Sequence, residues 1–179
     1  MQATVIFLRH CQTTGQAPDA PLTAKGAEDA RSLIPRLVAL GIDAVYASPY
    51  LRAVQSVEPF AAKHALPINI DARLRERRLT AEPCDDWLTH ARASFDDFDY
   101  RGPGGETLRE AQTRGLAALK DIAAESHRCA LVASHGNILA SLLHAMDSRF
   151  AFDAWHAMPN PALYRTTLIA GVPAAFATL

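Results

Sequence analysis

Short apolar runs without alternation recur along the chain, and most of them stop at polar or turn-forming residues. Thr4-Val5-Ile6-Phe7-Leu8 is the first, and it stops at Arg9-His10. Five apolar or β-branched residues in succession predict a strand covered on both faces. Ala44-Val45-Tyr46-Ala47 and Cys129 to Ala133 read the same way, and the latter stops at Ser134-His135-Gly136. Pro67 to Asp71 predicts a short third strand in chain order, Ala162 to Ala170 a late strand, and Pro173 to Leu179 a short edge strand.

Helical spacing fills the intervals. Ala27, Ala30, Leu33, Ile34, Leu37 and Val38 recur at three and four residues behind a capping Thr23, with Pro35 set to kink the helix and Gly41 to close it. Ser48-Pro49 predicts the N-cap and first turn of a helix that ends near His64, with Pro59 as a second kink. A helix is expected over about 83–94. Another runs from Glu106 to Ala124, with Leu108, Ala111, Gly115, Leu119 and Ile122 on one face. Gly136 to Met146 predicts a helix with Ile138, Leu139, Leu142, Leu143 and Met146 toward the core. Residues 14–21 and 96–105, rich in Gly, Pro and Asp, read as loops. The segment Arg73 to Arg78 reads as an exposed charged face.

Strands alternating with helices predict an α/β class with a largely parallel sheet. The length of 179 residues predicts a single domain, 1–179, in which a helix and loop insertion at about 76–104 covers the C-terminal edge of the strands. Hydrophobic residues make up 49% of the chain and charged residues 21%, as expected of a globular protein. A net charge of −1 argues against broad nucleic-acid binding and confines any anion site to a local cluster. No apolar run is long enough for a membrane span and the N-terminus lacks a signal-peptide pattern, so no membrane association and a cytoplasmic location are expected. Cys11, Cys84 and Cys129 are odd in number and widely spaced, which predicts neither a disulfide framework nor a zinc motif.

The chemistry lies at two strand ends. In open α/β sheets the C-terminal strand edge is where ligands bind. Neighbouring parallel strands would therefore place His10 and His135 on one crevice. Guanidinium forks at Arg9 and Arg52 suit phosphate oxygens. A neutral His10, with one ring N–H held by a backbone carbonyl, could attack phosphorus. His135 and the arginines would stabilise the transferring phosphoryl group, and Glu76 is the candidate acid for the leaving alkoxide. A cysteine-phosphatase reading of Cys11 fails, because the residue six positions on is Ala17 where an Arg is needed. His10, Cys11 and His135 lack metal-ligand spacing.

These residues resemble the histidine phosphatases, the phosphoglycerate mutase-like family. The likeness rests on six blocks in order: Leu8-Arg9-His10-Cys11-Gln12-Thr13, Pro21-Leu22-Thr23-Ala24-Lys25-Gly26, Ser48-Pro49-Tyr50-Leu51-Arg52-Ala53-Val54-Gln55-Ser56, Leu74-Arg75-Glu76-Arg77, Gly104-Gly105-Glu106-Thr107 and Ser134-His135-Gly136. The resemblance implies a three-layer α/β/α sandwich with a mostly parallel central sheet and a phosphohistidine at His10. It also implies a phosphate pocket of Arg9, Arg52 and His135 with Glu76 as general acid, Gln12 and Asn137 lining the pocket, and no metal or other cofactor. Two positions depart from its pattern: Cys11 stands where the signature carries Gly, and Gln16 stands where it often carries Asn.

Within that resemblance, mutases carry a longer insertion than the interval from Glu76 to His135 provides here. The smallest branch, which acts on phosphohistidine proteins, lacks an equivalent of Glu76. Hydrolysis of a small phosphorylated metabolite is therefore the expected activity. Mutase-type phosphoryl transfer and a non-catalytic phosphate-binding module are the alternatives. No residue selects between α-ribazole phosphate, sugar phosphates and other phosphomonoesters, and none signals an oligomeric state.

Overall fold

Strand β1 (Gln2–Arg9) lies centrally in the sheet of a computed structural model that describes residues 2–179. The chain continues through α1 (Ala24–Ser32), α2 (Ile34–Ala39), β2 (Ala44–Ala47), α3 (Leu51–Lys63) and β3 (Ile68–Ile70). A 3-10 turn at Ala72–Leu74 leads to α4 (Trp87–Asp96), then α5 (Leu108–Ala124), β4 (Cys129–Ser134) and α6 (Gly136–Met146). The short α7 (Phe152–His156), β5 (Ala162–Ile169) and β6 (Val172–Thr178) complete the fold.

The six strands lie in the order β3-β2-β4-β1-β5-β6. The first four run parallel, β5 is antiparallel to β1, and β6 is antiparallel to β5. Side chains of β1 alternate between two cores although the sequence does not alternate in polarity. Val5 and Phe7 enter the core beneath α5 and α6, whereas Ile6 and Leu8 enter the one beneath α1, α2 and α3. β4 divides likewise, with Ala130 and Val132 on one side and Leu131 and Ala133 on the other. Helices on both faces remove the need for a polar side, so the run is continuously apolar. Three layers and a mostly parallel sheet follow, as expected.

Several local expectations change. Thr23 caps α1 by accepting the Gly26 N–H at 3.0 Å, but the first helix breaks at Leu33, just before Pro35. Val38, expected on the core face, is exposed. The N-cap position of α3 is Tyr50, not Ser48, whose hydroxyl accepts the Tyr50 N–H at 3.2 Å and lies 2.7 Å from His135 Nε2. Pro59 sits inside α3, which continues to Lys63. α4 starts later than expected, and α7 was not anticipated. Its Phe152 and Trp155 rings pack against Phe95 of α4. α5 starts with a capping box, in which Thr107 Oγ1 accepts the Glu110 N–H and the Glu110 carboxylate accepts the Thr107 N–H.

Gly26 brings α1 against the loop that follows β1. A Cβ there would stand 2.1 Å from the Gln12 carbonyl oxygen, which is backbone and cannot rotate away. Alanine favours a helix interior over glycine by about 1 kcal/mol, so propensity alone predicts stabilisation by Gly26→Ala. The clash predicts the reverse, a net loss of about 1–3 kcal/mol, read as a lower urea midpoint at unchanged m-value.

Candidate active site

Three adjacent strand ends converge on one point. Arg9 of β1 is in register with Ser134 of β4, and Ala133 of β4 with Ala47 of β2. The residues immediately beyond are His10, His135 and Ser48. Backbone bonds continue the ladder past the strands, from His10 N to Ser134 O at 3.1 Å and from Ser48 N to Ala133 O at 2.9 Å. The His10 and His135 rings meet edge-on, with centroids 5.2 Å apart.

His10 is buried. Its Nδ1 lies 2.7 Å from the Cys11 carbonyl oxygen. A carbonyl can only accept, so Nδ1 carries the proton and Nε2 keeps its lone pair. Nε2 accepts the Arg52 Nε–H at 3.2 Å. Burial is the largest influence on this ring. It is opposed by the Cys11 bond and reinforced by the positive charges of Arg52 and Arg9, and the pKa falls to about 4. His135 is fully buried, and burial with the surrounding positive charges holds its pKa well below the ordinary value. Its Nε2 lies 2.7 Å from Ser48 Oγ. Both imidazoles are therefore neutral at neutral pH.

Arg52, 1% exposed, is fixed from α3. Its Nη1 donates to the Gln16 and Ala17 carbonyls at 3.2 and 3.0 Å, and its Cζ lies 4.9 Å from the Tyr50 ring centroid. Tyr50 also packs edge-on against His135, at 5.0 Å between centroids. Arg9 Nη1 donates to the Met158 carbonyl. Burial lowers the pKa of both arginines, and the Glu76 charge opposes that.

Glu76 reaches the start of α6. Its Oε1 accepts the Arg77 and Ile138 N–H groups at 2.8 and 3.2 Å, and its Oε2 accepts the Asn137 N–H at 3.1 Å. The turn before it is held from below. Arg114 forks onto Glu106 at 2.7 and 2.9 Å and donates to the Arg73 and Arg75 carbonyls. Four buried nitrogens around this helix start have no partner among the described residues: Arg9 Nε, Arg77 Nε, His135 Nδ1 and Trp155 Nε1. A Cβ at Gly136 would lie 3.1 Å from Trp155 Nε1 and 3.4 Å from Arg9 Nε, so glycine here lets both approach the backbone.

The sequence pattern of the histidine phosphatase superfamily, branch 1, matches residues 5–173. The chain belongs to this superfamily. A probable phosphoglycerate mutase GpmB of Enterobacter sp. (strain 638) is 33% identical over 156 residues, which span 78% of this chain and 72% of that protein. The solved structure of Bacillus stearothermophilus YhfR superposes with a TM-score of 0.76 at 27% identity, covering 98% of this chain and 95% of the other. A mycobacterial glucosyl-3-phosphoglycerate phosphatase shares the fold with a TM-score of 0.77 at 18% identity, over 99% and 97% of the two chains.

Of the residues expected at this histidine phosphatase site, the structure gathers His10, Arg9, Arg52 and His135, with Glu76 and Asn137 at the adjoining helix start. Asn137 Oδ1 accepts from Arg77 Nη2 at 3.3 Å. Gln12 is not brought in. It is exposed, its amide oxygen accepts from the Thr23 hydroxyl at 3.1 Å, and it makes no hydrogen bond to His10, Arg9 or Arg52. Arg77 corrects the exposed-face reading of the Arg73–Arg78 segment, since it is 4% exposed and burial brings its pKa down to about 10. Ser48, Trp155 and Asn160 were not anticipated. Asn160 Nδ2 donates to the His10 carbonyl at 2.9 Å, across a sequence distance that no local pattern reveals.

Cys11, in place of the family's glycine, is not among the residues with positive φ. Its N–H donates to Ser56 Oγ at 2.8 Å, and its side chain belongs to the core beneath α1 and α3. Burial pushes the thiol up to about 11, so it stays protonated.

The neutral His10 makes stability pH-dependent. Between its unfolded pKa of about 6.5 and its folded pKa of about 4, the unfolded chain binds a proton that the native chain refuses. Stability therefore falls as pH drops below 6.5. From pH 7 to pH 5, His10 alone accounts for about 2 kcal/mol. Urea unfolding at the two pH values is expected to show this loss, and His10→Gln to remove about that much of it.

Proposed function

We propose that the chain is a phosphatase that hydrolyses a small-molecule phosphomonoester through a phosphohistidine intermediate at His10, without a metal or other cofactor. The observation that carries this reading is the state of His10. It is a neutral ring whose Nδ1–H is tied to a carbonyl rather than a carboxylate, which leaves the Nε2 lone pair, against the Arg52 guanidinium, as the free nitrogen. A histidine serving as a base would more naturally be oriented by an acid.

In the first step the Nε2 lone pair attacks phosphorus and the ester P–O bond breaks. Arg52, Arg9 and His135 donate to the equatorial oxygens, and the Glu76 carboxyl gives its proton to the leaving alkoxide. In the second, Glu76 takes a proton from water, the water oxygen bonds to phosphorus and Nε2 departs. Oε2 of Glu76 accepts one N–H against two for Oε1, which supports Oε2 as the oxygen that carries that proton. The unpaired nitrogens near Gly136 support an oxyanion as the ligand, because each buried donor without a partner costs about 1–3 kcal/mol. The alcohol portion of the ester is assigned to a cleft of about 470 Å³ beside the site, lined by Tyr50, Arg75, Glu76, Arg78, Arg101 and Glu106 among others. Part of the 76–104 segment walls that cleft and serves as its cover. Cys11 supports catalysis over a purely binding role, since its thiol lies in the core rather than beside phosphorus.

The likeness to probable phosphoglycerate mutases favours one second reading, phosphoryl transfer without net hydrolysis. Incubation with a phosphomonoester panel separates the two. Free phosphate and an acid-labile phosphoenzyme are expected from the wild type and neither from His10→Ala, whereas phosphoglycerate interconversion without phosphate release would select the mutase. Cys11→Ser is expected to leave turnover nearly unchanged.

Glu76→Gln should slow hydrolysis of alkyl phosphates by about 10²–10⁴. It should slow an aryl phosphate with an acidic leaving group far less. Equal losses on both substrates would remove the acid role from Glu76.

A further inference from the structure

Away from His10, the loop entering α4 gathers Cys84, Asp86 and His90, with one potential ligand atom from each lying within 4.8 Å of the others. We propose that these three residues bind a single Zn²⁺ or similar borderline divalent transition-metal ion, with water completing the coordination.

Three features of the cluster point to a ligand. First, His90 is already oriented as a metal ligand would be. Its Nδ1 lies 2.6 Å from the Tyr100 hydroxyl, which fixes the ring and turns Nε2 to Asp86 Oδ2 at 3.5 Å. Ligating histidines usually use the second nitrogen in this way. Second, Asp86 occupies the N-cap position of α4, yet its carboxylate makes no capping bond. An aspartate there would ordinarily accept from the first-turn N–H groups, and this one is left beside His90 instead. Third, Cys84 is half-buried, unlike the buried Cys11 and Cys129. The Thr80 hydroxyl donates to the Glu82 carbonyl at 2.6 Å and lies 3.7 Å from Cys84 Sγ, so the thiol proton is the one in that contact.

An exposed Asp86–His90 pair one helical turn apart would explain two of these residues. It leaves Cys84 and the unused cap without a role. A sulfur, an imidazole and a carboxylate together suit zinc rather than calcium or magnesium, which prefer oxygen donors. Asp86 is exposed, which leaves the remaining coordination position to water. Binding deprotonates the Cys84 thiol and releases that proton to solvent. The spacing Cys-x-Asp-x-x-x-His escapes a search for paired cysteines because a carboxylate takes the second thiol's place. The bound ion would tie the loop at 80–86 to α4 and, through Tyr100, to the loop before α5.

Co²⁺ titration of the full chain under reducing conditions tests this. One equivalent is expected to give a thiolate-to-cobalt charge-transfer band that Zn²⁺ displaces. Cys84→Ser should abolish the band, His90→Ala should weaken binding more than tenfold, and Tyr100→Phe should weaken it about tenfold. A wild type with no such band at one equivalent, or a band that survives Cys84→Ser or His90→Ala, would overturn the proposal. His10→Ala should bind cobalt as the wild type does; loss of the band there would place the ion at His10 and His135 instead.

Discussion

A single hydrogen bond, from His10 Nδ1 to the carbonyl of the next residue, determines what this site can do. It sets which ring nitrogen is bare, and so where any new bond to the ring must form. The Cys11 carbonyl can serve only if the backbone leading into it is held, and much of the surrounding structure contributes to that. β4 receives the His10 N–H, Asn160 donates to the His10 carbonyl, and Ser56 receives the Cys11 N–H. These partners come from β4, from the loop before β5 and from α3. The sheet order that makes β1 and β4 neighbours is therefore also the condition for a correctly turned imidazole.

The start of α6 plays a complementary part. Its first free N–H groups would ordinarily receive an anion from solvent or substrate. Here Glu76 takes the Asn137 and Ile138 N–H groups. The helix end thus locates a carboxylate, and the donors left around it are side chains, namely Arg9, Arg52, His135 and the Trp155 indole. This division explains the demand on backbone geometry at Gly136, where Arg9 and Trp155 both approach closely. It also gives Arg114 a purpose, since a carboxylate delivered by an irregular turn needs that turn clamped.

The strands and the larger helices were legible because burial on two faces leaves unbroken apolar runs and burial on one leaves helical spacing. His10, Arg9, Arg52 and His135 were legible because the ends of adjacent parallel strands and the helix after β2 share one edge. Ser48 was misread as a cap because its sequence context is that of one, and only the three-dimensional position of His135 shows where its hydroxyl goes. Arg77 was misread because a charge-dense stretch of six residues looks solvated, and nothing local reveals that one of its guanidinium groups meets Asn137. Asn160 and Trp155 sit in a stretch without period, and their contacts to β1 and α6 are set by tertiary packing alone. Gln12 shows the reverse case, since two positions after His10 its amide faces Thr23 and the start of α1.

The placement of Cys11 carries a consequence for the redox setting of the protein. Its sulfur is a neighbour of His10 in sequence, but in space it is a filler between helices, protonated and sealed from solvent. Peroxide attacks thiolates, and neither a protonated buried thiol nor an imidazole offers it such a target. An oxidant pulse that would silence an enzyme built on a cysteine thiolate therefore finds no such group beside His10.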